Sequence, residues 1–139
     1  MEHFLAPVLV LIVWSLIIWC LMYVRRIPAI QALKLDPQST RSPVGEWRQK
    51  LPEKAEIAAH NYNHLMEQPT IFYALMFTIF LMDKVTPLAL YCAWGYVALR
   101  IVHSLVQVTV NKVMLRFGVF TLSTILLIVA ALSTFAKLF

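Results

Sequence analysis

The 139-residue sequence contains little glycine and little charge. Its three glycines are too few for a glycine-rich loop of the kind that binds phosphate groups. Hydrophobic residues make up 60% of the chain and charged residues only 14%, which is too apolar for a soluble domain of this size. The two cysteines, Cys20 and Cys92, lie inside apolar segments, so neither a disulfide framework nor a zinc site is predicted. We therefore expect a single membrane domain, residues 1–139.

The formal net charge of +5 does not come from a continuous basic stripe. The excess lysines and arginines lie in short segments beside long apolar runs. This distribution is typical of membrane topology, with lipids as partners, and we expect no nucleic-acid partner.

Four apolar runs predict four transmembrane helices. A bilayer core of about 30 Å requires about 20 helical residues. The first run, from Phe4 to Val24, contains no charged residue, and a polar break from Asp83 to Pro87 separates the two middle runs. The predicted spans are residues 4–24, 55–82, 87–110 and 115–136. The sequence thus predicts an all-α fold, a four-helix transmembrane bundle.

The basic residues predict how the bundle is oriented. Those of the first inter-helix loop are Arg25, Arg26, Lys34, Arg41, Arg48, Lys50 and Lys54. The loop before the fourth helix adds Lys112 and Arg116, whereas the opposite side has only Lys84 and Lys137. Since positively charged loops stay in the cytosol, we expect a multi-pass protein with both termini on the non-cytosolic side.

Polar residues form one stripe on the second helix and another on the third. Positions three, four and seven apart share a helix face. The second-helix stripe is His60, Asn63, His64 and Glu67, and the third-helix stripe is Arg100, His103, Ser104, Gln107 and Asn111. Because both stripes occupy the half of the bundle away from the Asp83 break, we expect them to face each other.

Depth suggests a partner for each buried charge. Counted from the polar break at a rise of about 1.5 Å per residue, Glu67 lies about 24 Å away and Arg100 about 21 Å away. A lone charge inside the hydrocarbon costs at least about 2.5–3.5 kcal/mol. We therefore predict a Glu67–Arg100 ion pair. Pro69, two residues beyond Glu67, is expected to kink the helix and to free the backbone carbonyl of Leu65.

Two interpretations of the stripes remain open. Polar side chains can simply hold membrane helices together, but two matched stripes that end at a basic rim favour a polar cavity. A proton relay through Glu67, His64 and His103 is a further alternative. His60 and His64 have the spacing of two metal ligands, yet no second carboxylate or cysteine joins them, so we expect no metal site.

Two motifs resemble those of the MAPEG family, the membrane-associated proteins of eicosanoid and glutathione metabolism. The segment "RIVHSLVQVTVNKVMLR", residues 100–116, resembles the third-helix signature, with an arginine that opens the fourth helix. The segment "NHLMEQP", residues 63–69, resembles the second-helix motif of Asn, Glu and Pro. The four spans and the basic first loop are also similar to this family.

The resemblance implies a homotrimer that binds glutathione in a cytosol-facing cleft between subunits. Its implied roles are Glu67 with Asn63 or His64 for the amino and peptide groups, Arg25 or Arg26 with Arg100 and His103 for the carboxylates, and Arg116 as the catalytic residue beside the thiolate. Arginine binds carboxylates bidentately, and a thiol becomes nucleophilic near pH 7 only beside positive charge.

Three positions depart from the family pattern. His60 stands in place of an arginine, Gln107 in place of a tyrosine, and His64 in place of an asparagine. The resemblance favours a glutathione-dependent transferase or peroxidase that acts on lipophilic small molecules, with glutathione as cofactor and Gln107 in its binding wall. The departures favour a non-catalytic protein that binds a lipid or another small ligand. A small proton-linked carrier is the third hypothesis.

Overall fold

The computed structural model describes residues 3–42 and 44–137. Its four α-helices are α1 (Ala6–Ala32), α2 (Glu53–Leu81), α3 (Pro87–Val108) and α4 (Val113–Phe135). Two short 3₁₀ helices, Pro37–Thr40 and Glu46–Lys50, lie in the loop between α1 and α2. No strand occurs in the described ranges, so the predicted all-α fold is confirmed.

The first helix is longer than its predicted span. It continues past Val24 and Arg26 to Ala32, with Pro28 inside it. A proline removes one backbone hydrogen bond but does not by itself end a helix. The residues after Pro28 include two alanines and a glutamine, which favour helix. The two arginines that follow the predicted span therefore lie on a helix and not in a loop.

Three of the four helices are long and apolar enough to cross a membrane, namely α1, α3 and α4. The exception is α2, although it is continuous over 29 residues. The polar cluster between His60 and Gln68 lowers the apolar content of its first half. The helix that carries Asn63, His64 and Glu67 is therefore also the least apolar of the four.

Local sequence explains where several helices begin and end. Pro87 occupies the first turn of α3, and the Thr86 hydroxyl accepts a hydrogen bond from the Ala89 amide at 3.2 Å. Left-handed residues follow α1 and α2, at Lys34 (φ 51°) and Asp83 (φ 52°), within the hydrogen-bond pattern of a Schellman motif. Asn111 (φ 47°), between α3 and α4, is the third left-handed residue in the part of the chain that is described.

The bundle is apolar at one end and polar at the other. At the apolar end, Phe72 of α2 stacks on Tyr96 of α3 with ring centroids 4.6 Å apart. The closest helix pair is α3 with α4, and a Cβ at Gly95 would lie 2.6 Å from the Leu126 side chain. A larger residue would require the Leu126 side chain to shift, so glycine suits this contact between α3 and α4.

Candidate functional site

A cavity of about 330 Å³ opens at the polar end of the bundle. Its lining residues are Ile57, His60, Asn63, His64, Glu67, Gln107, Asn111 and Arg116. The α2 members fall at successive turns of that helix, with Asn63 and His64 adjacent, so one face of the helix forms a wall. The structure thus brings together five of the site residues expected from the sequence: Asn63, His64, Glu67, Gln107 and Arg116.

His64 and Glu67 form a hydrogen-bonded pair in this wall. The His64 Nδ1 atom lies 2.9 Å from Glu67 Oε2. The Glu67 side chain is 67% exposed, whereas that of His64 is 29% exposed. The imidazole stacks on the Phe120 ring at 5.4 Å and meets the His103 ring, tilted, at 5.1 Å. The carboxylate is accessible, and the imidazole is held in one orientation.

Arg116 reaches the cavity from the first turn of α4. Its Nη1 donates to Asn111 Oδ1 at 2.7 Å, so the left-handed residue of the α3–α4 turn also orients the guanidinium. Its buried Nε has no hydrogen-bond partner in the described part of the chain. Among the residues that line this cavity, Arg116 is the one permanent cation.

The predicted Glu67–Arg100 ion pair is wrong. Arg100 is fully buried, and its Nη2 donates to the backbone carbonyl of His64 at 2.9 Å. Its guanidinium carbon lies 5.3 Å from the Phe120 ring centroid. Counting residues gives the depth of a side chain but not its direction around the helix axis. Glu67 lies on the open face of α2, while Arg100 points into the bundle and does not line the cavity.

The remaining α3 residues of the site are buried between the helices. His103 and Gln107 are each 3% exposed, and Gln107 Oε1 has no hydrogen-bond partner among the residues described. His103 lines a second, more apolar cavity of about 240 Å³, together with His64, Val113, Arg116, Phe117 and Phe120. His64 and Arg116 line both cavities, so they stand between a polar and an apolar chamber.

Arg25 and Arg26 do not reach the cavity of their own chain. Arg25 Nη1 donates to the Lys54 carbonyl at 3.5 Å, a long hydrogen bond. Arg26 lies 4.0 Å from Glu56 and 5.1 Å from the centroid of the Trp47 ring. Both arginines thus join the end of α1 to the first loop and the start of α2.

Sequence reasoning missed a contact between this loop and the cavity. Arg48 donates to Glu56 Oε2 from Nη2 at 2.6 Å and from Nε at 2.9 Å. The same Nη2 lies 3.2 Å from His60 Nε2, in the cavity wall. In the sequence, Glu56 could have indicated this contact, because it is an acidic residue one turn before His60 and close to a strongly basic loop.

A second missed contact joins α2 to α3. Asn61 is 1% exposed, and its Nδ2 donates to Ser104 Oγ at 2.7 Å. Asn61 lies on the opposite face of α2 from Asn63, so it was not part of the predicted stripe. Within residues 3–42 and 44–137, no group of three or more His, Cys, Asp or Glu residues is placed to hold a metal ion.

Comparison with known proteins gives one result. The model of the MAPEG family matches residues 4–136, a range that contains all four helices and every residue that lines the two cavities. No curated protein and no solved structure matches the chain.

Proposed function

The chain belongs to the MAPEG family and is an integral membrane protein, and on this basis we propose that it is a glutathione-dependent transferase or peroxidase. Its substrates in this proposal are lipophilic small molecules. The supporting observation is the position of Arg116, which lines both the polar and the apolar cavity and is the one permanent cation among the residues that line them.

The proposed chemistry begins with the thiol of glutathione in the polar cavity. A free thiol has a pKa of about 8.5, and neighbouring positive charge increases the thiolate fraction near pH 7. Arg116 supplies that charge, and the thiolate sulfur then attacks an electrophilic atom of the substrate. The lipophilic substrate occupies the apolar chamber lined by Val113, Phe117 and Phe120.

The polar groups of glutathione find partners in the same cavity. Glu67 carries an exposed carboxylate for the amino group, and Asn63 and Gln107 offer amides to the peptide bonds. The two carboxylates of glutathione need more cations than Arg116 alone. Because Arg100 is sealed inside the bundle, the additional cations come from another copy of the chain, with Arg25 and Arg26 as the candidates.

The exposed face of α2 supports an assembly of several copies. In one protomer Glu67 is 67% exposed. At the depth predicted from residue counting, a charged residue is costly against lipid. Thr70, Ala74 and Thr78 continue the same exposed face. Small residues let helices approach closely, so this face suits contact with a neighbouring helix. From the family resemblance we propose that this assembly is a homotrimer with the cleft between subunits.

The basic first loop favours an orientation in which the cavity opens to the cytosol. The cavity lies at the same end of the bundle as that loop, since Arg48 of the loop contacts His60 of the wall. Both termini are then on the non-cytosolic side. Glutathione enters from the cytosol, and the lipophilic substrate enters from the bilayer.

The test measures glutathione binding by calorimetry, and conjugation of a lipophilic electrophile, with purified protein in detergent. Arg116→Ala should lower turnover more than binding, by roughly ten- to a hundredfold, because a charge-assisted contact typically contributes about 1.5–3 kcal/mol. Arg41→Ala, an exposed loop arginine, is the matched control. Absence of glutathione binding to the unaltered protein would overturn the proposal.

The second candidate is a non-catalytic protein that binds a lipid or another small ligand. It is favoured by the burial of Arg100 and by the amide of Gln107 at a position where the family pattern has a phenol. Ligand binding without turnover of any thiol-reactive substrate would support this second function over the first.

A further inference from the structure

The hydrogen bond between His64 and Glu67 determines which ring nitrogen is available in the cavity. In a neutral imidazole one nitrogen carries hydrogen and the other accepts. With Nδ1 at 2.9 Å from a carboxylate oxygen, Nδ1 carries the hydrogen and donates it to Glu67. The acceptor is therefore Nε2, which no described residue hydrogen-bonds.

The ring that carries this acceptor has little freedom to turn. The Phe120 ring stacks on the imidazole with an interplanar angle of 18°, and the His103 ring contacts it at 46°. The Glu67 carboxylate holds its Nδ1 edge. An oriented imidazole with a free Nε2, in the wall between two chambers, has the geometry of a general base.

From this geometry we propose that His64 is the catalytic base of the site and that Glu67 positions it. The inference rests on the proposed function, in which glutathione occupies the polar cavity. The His64 Nε2 accepts the thiol proton as the S–H bond breaks, and the electron pair remains on sulfur. The thiolate then forms a bond to the electrophilic carbon and displaces a leaving group, to which the imidazolium returns the proton.

Arg116 and His64 perform different parts of this step. The guanidinium stabilises the thiolate once formed but cannot accept a proton. His64 accepts the proton, and the Glu67 carboxylate stabilises the resulting imidazolium.

The other charged or titratable groups near the ring are His60 on α2, Arg100 and His103 on α3, and Arg116 on α4.

Glu67 is the one carboxylate in that surrounding set. Because its carboxylate contacts the imidazole directly, proton transfer to His64 depends on Glu67. The sequence places histidine where the family pattern has asparagine, and an asparagine amide cannot accept a proton at neutral pH. The proposed base is therefore a feature of this chain's own residues.

The test compares His64→Gln and His64→Ala with the unaltered protein, and uses exposed His3→Gln as the matched control. General-base catalysis typically contributes about 10²–10⁴-fold, so His64→Gln should lower kcat within that range and leave the glutathione Kd nearly unchanged. Added imidazole should restore part of the activity of His64→Ala. A residue that only supports the wall would give no such rescue.

A second measurement examines the positioning role of Glu67 without substrate. Nitrogen-15 NMR of histidine-labelled protein should show a proton on Nδ1 of His64, and Glu67→Leu, which removes the acceptor, should remove this preference. Glutathione binding with unchanged kcat in His64→Gln would overturn the base but leave the transferase. No glutathione binding to the unaltered protein would overturn both.

Discussion

Replacing Arg100 with methionine tests how the buried guanidinium is held. The substitution removes a charged hydrogen bond worth about 1.5–3 kcal/mol and a contact with Phe120 worth about 0.5–2 kcal/mol. It also removes a charge that costs at least about 2.5–3.5 kcal/mol inside a membrane. These effects largely cancel, so the free energy of unfolding should fall by no more than about 2 kcal/mol. Breaking a buried ion pair would cost about 3–5 kcal/mol.

A double-mutant cycle with Glu67→Gln makes this prediction sharper. Glu67 bonds the His64 ring and Arg100 bonds the His64 carbonyl, but the two charges form no ion pair, so their coupling energy should stay below about 1 kcal/mol. Arg100→Met and Phe120→Leu should instead be coupled. The assay is reversible unfolding in mixed detergent micelles, followed by circular dichroism. Coupling of about 1 kcal/mol or more between Glu67 and Arg100 would indicate an ion pair. It would refute the assignment of Arg100 to the His64 carbonyl.

Two further predictions concern helix contacts and topology. Asn61→Ala should lower the free energy of unfolding by about 0.6–1.7 kcal/mol, the range for hydrogen bonds between membrane helices, and should do so much less when Ser104 is already alanine. Exposed Asn63→Ala is the control, and equal losses at the two asparagines would contradict the contact. In a variant without the native cysteines, a cysteine at Ser42 should react only with cytosolic reagent and one at Lys84 only from the other side. The opposite labelling would reverse the proposed orientation.

The number of helices could be predicted because apolar runs and polar breaks are local signals. The break from Asp83 to Pro87 and the capping residue Thr86 mark the α2–α3 turn directly in the sequence. The cavity wall could also be predicted from the sequence, because residues such as Asn63 and Glu67 share a helix face at any tilt of the bundle. A short spacing in sequence specifies relative positions on one helix well.

Contacts between helices, and the rotation of each helix against its neighbours, were harder to predict from the sequence. The direction of Arg100 depends on how α3 is rotated against α2, which the depth of a residue does not specify. The extension of α1 beyond Val24 depends on whether Pro28 ends a helix, and packing decides that outcome. The contact of Arg48 with Glu56 joins a loop to a helix, and no periodic pattern describes such a contact.

The left-handed residues that follow three of the helices have a consequence for engineering. A residue such as lysine in this conformation costs about 1–2 kcal/mol, and aspartate or asparagine costs less because its short polar side chain can hydrogen-bond locally. Glycine at Lys34 or Asp83 would remove that strain without touching the cavity, although it would also increase the entropy of the unfolded chain. Thermal stability can therefore be raised at Lys34 and Asp83 independently of function. At Asn111 the same change would also remove the hydrogen bond that orients Arg116.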